Sequence, residues 1–144
     1  MNQPARPLGA VAGTGGAPGL GAATVDAVRA VGGVRLVVDR NRPHTEVDWE
    51  QADLADSAAA EEATRALADR AGGRIDGVFT AAGVDACGPL EEVDAAAWER
   101  VVRVNLLGTA AVIRAALPAL RETRPAHAVV TAVASRPAFP SSWG

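Results

Sequence analysis

At 144 residues, with 49% hydrophobic and 22% charged residues, the chain has the length and balance of one globular domain that buries a single core. A net charge of −3 without a basic stripe argues against nucleic acid as partner, and no apolar run reaches the roughly 18 residues of a bilayer span, so no membrane partner is expected. Met1 to Pro7 holds one arginine and no apolar signal core, and Cys87 is the only cysteine; a cytoplasmic protein without disulfide or metal site is expected.

In chain order, Met1 to Pro7 is expected to be disordered, and the apolar run Leu8 to Ala12 is predicted as the first strand. It leads into Thr14-Gly15-Gly16-Ala17-Pro18-Gly19-Leu20-Gly21. A backbone that bends sharply and then meets a bulky anion cannot carry side chains at the contact points, so glycine is required there. A helix starting at Leu20 would turn its unpaired N–H groups and positive dipole end toward that turn, and a pyrophosphate is the natural guest. Apolar residues then recur at Ala23, Ala27, Val28 and Val31 with helical spacing until Gly32-Gly33. Val34 to Val38, apolar but for Arg35, has the character of a buried strand and ends at Asp39-Arg40-Asn41-Arg42-Pro43. Strand, helix and strand within about 30 residues make a parallel βαβ unit.

Val47 to Leu54 is a weaker strand pattern, followed by a helix from Ser57 to Ala71 and a buried strand from Ile75 to Thr80. A long helix is predicted from Asp94 to Leu117, with Trp98, Val101, Val102, Asn105, Leu106, Val112, Ile113 and Leu117 near one buried stripe. Pro118 should kink or end it. Ala128 to Ala134 is the last strand, and 136–144 an irregular tail. The alternation predicts an α/β doubly wound parallel sheet of about five strands, in one domain over 1–144.

The fingerprint G-x-G-x-x-G does not fit the glycine turn, since its third glycine falls on Pro18, and a Walker loop is excluded because all 14 basic residues are arginine. What fits is T-G-x-x-x-G-x-G, with Thr14, Gly15, Gly19 and Gly21 in register. This resembles the cofactor loop of the short-chain dehydrogenase/reductase family; the bland alternative, a Gly/Ala linker, is disfavoured by the βαβ setting. The resemblance implies a Rossmann-like, three-layer α/β/α fold that holds a nicotinamide dinucleotide, with Leu20 also at the cofactor. Asp39, at the end of the second strand, matches the family's acidic residue for the adenosine ribose. A carboxylate there would repel a 2′-phosphate, which implies NAD rather than NADP. Arg40 and Arg42 could instead pair with that phosphate, and Asp39 is also an ordinary turn former.

Three further segments match the family. Asp53-Leu54 resembles its Asp-aliphatic pair beside the adenine ring, although Asp53 could equally cap a helix. Thr80-Ala81-Ala82-Gly83 resembles its Asn-Asn-Ala-Gly segment with both asparagines replaced, leaving Ala81, Ala82 and Gly83 small enough for close cofactor approach. Val104-Asn105-Leu106-Leu107-Gly108-Thr109 resembles its V-N-x-x-G-x segment, which implies a catalytic role for Asn105; a buried amide in the apolar stripe would also need structural partners. Val129 to Ser135 fits the strand that ends in the family's catalytic serine, here Ser135, although another register would put Ala134 there. Ser135 as a freestanding nucleophile is implausible, since His127 is eight residues upstream and no G-x-S-x-G elbow is present.

The family's proton-transfer pair, Tyr-x-x-x-Lys, has no counterpart in a sequence without tyrosine or lysine. Trp143 could be forced onto the tyrosine position, but an indole N–H only donates and does not titrate usefully. The expectation is therefore a chain truncated before that motif, lacking the C-terminal part of the family fold and inactive alone in hydride transfer between cofactor and an alcohol or ketone. The alternative is a non-catalytic dinucleotide-binding or interaction module. Truncation would expose the fifth strand as a sheet edge open to self-association or to a complementing chain. Trp98 is expected in the core, Cys87 as a small buried or idle thiol, and Glu61-Glu62 and Glu91-Glu92 on solvated helix faces or in first turns. His44 and His127 are too far apart in sequence to suggest a metal pair.

Overall fold

The computed structural model describes residues 8–16, 19–123 and 127–129. Met1 to Pro7, Ala17-Pro18, most of the predicted last strand, Ser135 and the 136–144 tail lie outside them. The elements are β1 (Ala10–Thr14), α1 (Leu20–Ala30), β2 (Val34–Asp39), β3 (Asp48–Gln51), α2 (Ser57–Arg70), β4 (Gly77–Thr80), α3 (Ala95–Val102), a π-helical segment (Arg103–Gly108), α4 (Thr109–Arg121) and β5 (His127–Val129). The strands form one parallel sheet in the order β3-β2-β1-β4-β5, a doubly wound α/β architecture whose order reverses between β1 and β4.

Parallel pairing buries both faces of the sheet, which is why β2 is apolar at three successive positions, Leu36 to Val38, after Arg35. On one face Ala12, Leu36, Val38 and Val78 pack with Leu67 of α2 and Val112, Ala116 and Leu120 of α4, and Ile75 fills the same core. On the other face α1 supplies Val25 and Val28. α2 and α3 begin with aspartate caps: Asp56 accepts from the N–H groups of Ala58 and Ala59, and Asp94 from that of Ala96. α1 begins at Gly19, whose missing side chain leaves its first turn uncapped.

The predicted boundaries move where pairing decides them. β1 runs from Ala10 to Thr14 rather than Leu8 to Ala12, because Gly13 and Thr14 pair with Val37 and Val38 on one side and with Phe79 and Thr80 on the other. β3 shrinks to Asp48–Gln51, an edge strand whose ladder stops opposite Asp39. Ile75 belongs to the core rather than to β4, its N–H donating to the Ala119 carbonyl at 3.2 Å. Pro118 does not end α4, which continues to Arg121; it lies on the exposed side, where water can meet the carbonyl it leaves without a donor.

The long helix is turned in part from its predicted face: Val112 is buried as expected and Val101, Asn105 and Ile113 are half-buried. Its buried stripe is Val104, Gly108, Ala111, Val112, Ala115, Ala116, Ala119 and Leu120, while Trp98, Val102, Leu106 and Leu117 are exposed. Trp98, expected in the core, is 45% exposed. Glu61, expected in solvent, is buried and pairs with Arg65 on its own helix and Arg114 of α4. From Ala95 to Arg121 the helix has 27 residues and a mean hydropathy of 1.4 in its most apolar window, enough by length and composition to cross a membrane. That corrects the sequence-based exclusion, but a third of the window is buried, α4 packs on α2, and Arg114 is committed to Glu61.

Candidate functional site

The carboxyl ends of β1 to β4 open into one cleft of about 230 Å³. Gly15 follows β1, Asp39 to Asn41 close β2, Ala52 to Leu54 follow β3, and Ala81 to Val84 follow β4. Arg100 and Val104 complete the lining from the long helix. In an open α/β sheet, ligands bind outside the carboxyl ends of strands at the point where the order reverses, which is where this cleft lies.

Glycines set how closely its parts approach. Gly15 has φ +75°, and a Cβ there would stand 2.6 Å from the Ala82 nitrogen. Gly21, in the first turn of α1, packs so tightly that a Cβ would come within 1.8 Å of the Gly15 carbonyl oxygen. Gly19 needs its positive φ of 78° but has open space around it. Gly108 lets the π segment touch the loop after β3, where a Cβ would meet the Leu54 carbonyl oxygen at 2.5 Å.

Polar side chains brace the walls. Thr14 is buried, and its hydroxyl accepts from the Ala82 N–H at 3.2 Å, tying the end of β1 to the segment after β4. Asn105 grips the backbone of Val84 twice: its amide oxygen accepts from the Val84 N–H and its amide nitrogen donates to the Val84 carbonyl, both at 2.9 Å. The π segment thus carries the residue that pins the Ala81–Val84 wall. Extra turns of this kind are frequent at functional sites.

Charges sit toward the β2–β3 side. Asp39 accepts from the Asn41 N–H at 2.9 Å, and its own carbonyl accepts from the Ala52 N–H at 3.2 Å. Asp53 accepts from the Ala55 N–H at 3.0 Å and from Arg100 at 3.3 and 3.0 Å. The Ala55 hydrogen bond first, and the neighbouring Arg100 guanidinium after it, hold the Asp53 carboxyl below the usual aspartate range against slight burial. Arg42 lies with its guanidinium carbon 5.9 Å from the centre of the Trp49 ring and does not line the cleft. Cys87 is exposed, not buried, and its thiol donates to Asp85 at 3.2 Å. The Asp85 carboxylate pushes its pKa up. Among the described residues no cluster of acidic, histidine and cysteine side chains could hold a metal.

Known proteins resemble this arrangement. The family model described as short chain dehydrogenase matches residues 10–141. The chain belongs to the short-chain dehydrogenases. Levodione reductase of Leifsonia aquatica is 34% identical over 134 aligned residues, covering 83% of this chain and 50% of the relative. A crystal structure of levodione reductase superposes with a TM-score of 0.73 at 32% identity, over 84% of this chain and 52% of that one. The 3-alpha-hydroxysteroid dehydrogenase of a Pseudomonas species, solved with NADH, gives 0.67 at 30% identity over 84% and 46%. The aldohexose dehydrogenase of Thermoplasma acidophilum shares the fold, with a TM-score of 0.80 at 21% identity over 85% and 48%. The chain thus spans about half the length of these relatives.

Within this short-chain dehydrogenase frame, Gly15, Asp39, Asp53, Leu54, Ala81, Ala82 and Gly83 come together at the cleft. Thr14 stands behind the lining, and Asn105 next to it, through their bonds to Ala82 and Val84. Gly19, Leu20 and Gly21 lie at the start of α1, with Leu20 71% exposed. Ser135 lies outside the described residues. The helix cap suggested for Asp53 belongs to Asp56, the residue immediately before α2. Sequence reasoning missed Arg100, Val104, Asn41, Ala52 and Val84 as lining. An arginine one helical turn before Val104-Asn105 was the available signal for Arg100.

Proposed function

We propose that this chain is the dinucleotide-holding part of a nicotinamide-dependent oxidoreductase that interconverts an alcohol and a ketone. One observation carries the reading: Gly15, Asp39, Asp53 and Ala81 to Gly83, from four separate strand ends, line the same cleft where the sheet order reverses. Tight glycine packing fits a dinucleotide there, because side chains at Gly15 or Gly21 would collide with backbone atoms that form the cradle. The uncapped first turn of α1 offers N–H donors and the positive dipole end to a pyrophosphate. Asp39 would accept from the ribose hydroxyls and repel a 2′-phosphate, favouring NAD over NADP; Arg42 stacks on Trp49, while Arg40 lines the cleft beside Asp39 and is the cation a 2′-phosphate would meet.

When bound, the nicotinamide ring would accept a hydride from an alcohol or donate one to a ketone. Asn105 would orient the Val84 wall, and Ser135 would hydrogen-bond the substrate oxygen. The 144 residues hold neither tyrosine nor lysine, so the part read here would hold the cofactor and would not itself supply the family's proton-transfer pair. The outer edge of β5, the terminal strand of the sheet among the described residues, is where a complementing chain or a second copy could add. The exposed thiol of Cys87 suits a reducing cytoplasm. A fluorescence titration with NADH and NADPH tests the reading: binding with NADH the tighter ligand is expected. No binding at millimolar cofactor would refute it, and tighter NADPH binding would refute the role given to Asp39.

A further inference from the structure

α3 forms a wall of the cleft without being anchored by packing. None of its residues, Ala95 to Val102, is buried, and it packs mainly against the π segment that continues it. Its link to the sheet is Arg100. The guanidinium reaches Asp53, 47 positions earlier in the loop between β3 and α2, and bonds both carboxylate oxygens at 3.3 and 3.0 Å. Asp53 is itself fixed by the Ala55 N–H, and the adjoining Ala52 N–H is bonded to the Asp39 carbonyl. A continuous set of bonds therefore runs from the end of β2 through the β3–α2 loop to α3. Between these walls lie the buried apolar side chains of Ala52, Leu54 and Val104, with the charged pair at the rim.

Resting on the nucleotide reading above, we infer that Arg100 is a positioning residue for the adenosine half of the cofactor. Its bridge to Asp53 sets the gap between α3 and the β3–α2 loop into which a flat, uncharged purine slides. The pair is neutral as a unit, so this end of the cleft selects for shape and apolar area rather than charge. Each partner alone does the opposite: a lone Asp53 adds an unpaired anion beside the base, and a lone Arg100 leaves α3 untied. Binding energy from the nicotinamide half does not depend on this bridge.

The affinities of NADH, ADP-ribose and nicotinamide mononucleotide for the 144-residue chain, measured by titration calorimetry, test this. Arg100→Ala should weaken NADH and ADP-ribose by about fivefold, the upper range for an exposed ion pair, and leave the mononucleotide unchanged. Arg100→Asp, which sets a second carboxylate beside Asp53, should weaken ADP-ribose more than Arg100→Ala does, while Arg100→Lys, which keeps the charge, should weaken it less. Amide hydrogen exchange gives a second readout, with faster exchange over Ala95 to Val102 expected in Arg100→Ala and no change in α2. ADP-ribose binding as tight in Arg100→Ala as in the unaltered chain would overturn the inference. So would ADP-ribose binding in Arg100→Asp no weaker than in Arg100→Ala, or unchanged amide exchange in α3. Failure of the unaltered chain to bind any of the three ligands would instead overturn the nucleotide reading itself.

Discussion

Gly21→Ala separates the two ways in which a glycine can be required. Gly21 sits in the first turn of α1, where alanine would by propensity favour the helix by about 1 kcal/mol. Against that stands space: the new Cβ would lie 1.8 Å from the Gly15 carbonyl oxygen and 2.5 Å from its carbon, backbone atoms that cannot rotate away. The start of α1 must retreat by more than an ångström, and overpacking of this kind costs roughly 1–3 kcal/mol or more. For a chain of this length about 3 kcal/mol corresponds to a fall of roughly 10 °C in melting temperature. The retreat also spoils the turn itself, so NADH affinity should fall more than tenfold. Gly32→Ala is the control: φ there is +78° with open space, so roughly 1 kcal/mol of backbone strain is expected with NADH affinity intact. Thermal melts and NADH titrations on both variants check this. Gly21→Ala melting within about 1 °C of the unaltered chain and binding NADH within twofold would refute the close-packing account of the loop.

Three more outcomes follow from the geometry. Asn105→Ala removes both bonds to Val84 and should cost about 2 kcal/mol. Asn105→Asp, which sets a carboxylate against the Val84 carbonyl, should be less stable at pH 7 than at pH 4.5; equal melting at the two would count against the clamp. Asp53 has its folded pKa held below the unfolded value of about 3.9, so its contribution to stability is present above that value and lost as pH falls through the folded one. Urea titrations of the unaltered chain and Asp53→Asn should therefore differ by a constant amount at neutral pH and converge below about pH 4. Cys87, its pKa raised by Asp85, should react slowly with iodoacetamide at pH 8, and Asp85→Asn should speed it; unchanged rates would show that the carboxylate does not control the thiol.

The ends of β2, α1 and β4 are legible in the sequence because local chemistry fixes them. A β-branched run before Asp39, a glycine pair after Val31 and the small residues after Thr80 each act within a few positions, and each stands where the pattern put it. The glycine turn was legible as a motif, but its physical reasons were not: that Gly21 is limited by the Gly15 carbonyl, and Gly15 by Ala82, depends on atoms up to 67 residues apart. The same holds for Arg100. Its spacing on the helix was visible, whereas its partner comes from the β3–α2 loop, and the meeting is a product of sheet order. Glu61 was misread for a related cause. Nothing near it in sequence announces Arg114, without which a buried carboxylate at that position would be too costly.

In the long helix side-chain size is a poor sign of burial. Trp98, Val102, Leu106 and Leu117 are large and apolar, yet they are exposed, and only Val104, Val112 and Leu120 among the larger apolar side chains of this helix are buried. The stripe that is buried instead passes through Gly108, Ala111, Ala115, Ala116 and Ala119, whose small volume lets α4 lie close to α2, itself lined by Ala60 and Ala63. Gly108, in the π segment, lies against the loop after β3, with the Leu54 backbone where a side chain would have to be. Helices meeting through alanine and glycine bring their backbones together and gain from dispersion over many atoms rather than from a few large side chains. That closeness carries the adjoining π segment to the end of the sheet, where Asn105 can reach the Val84 peptide with both of its amide groups. A bulkier stripe would push the helix outward and break that grip, so the alanines of α4 are as much a condition of the cleft as the glycines of the turn.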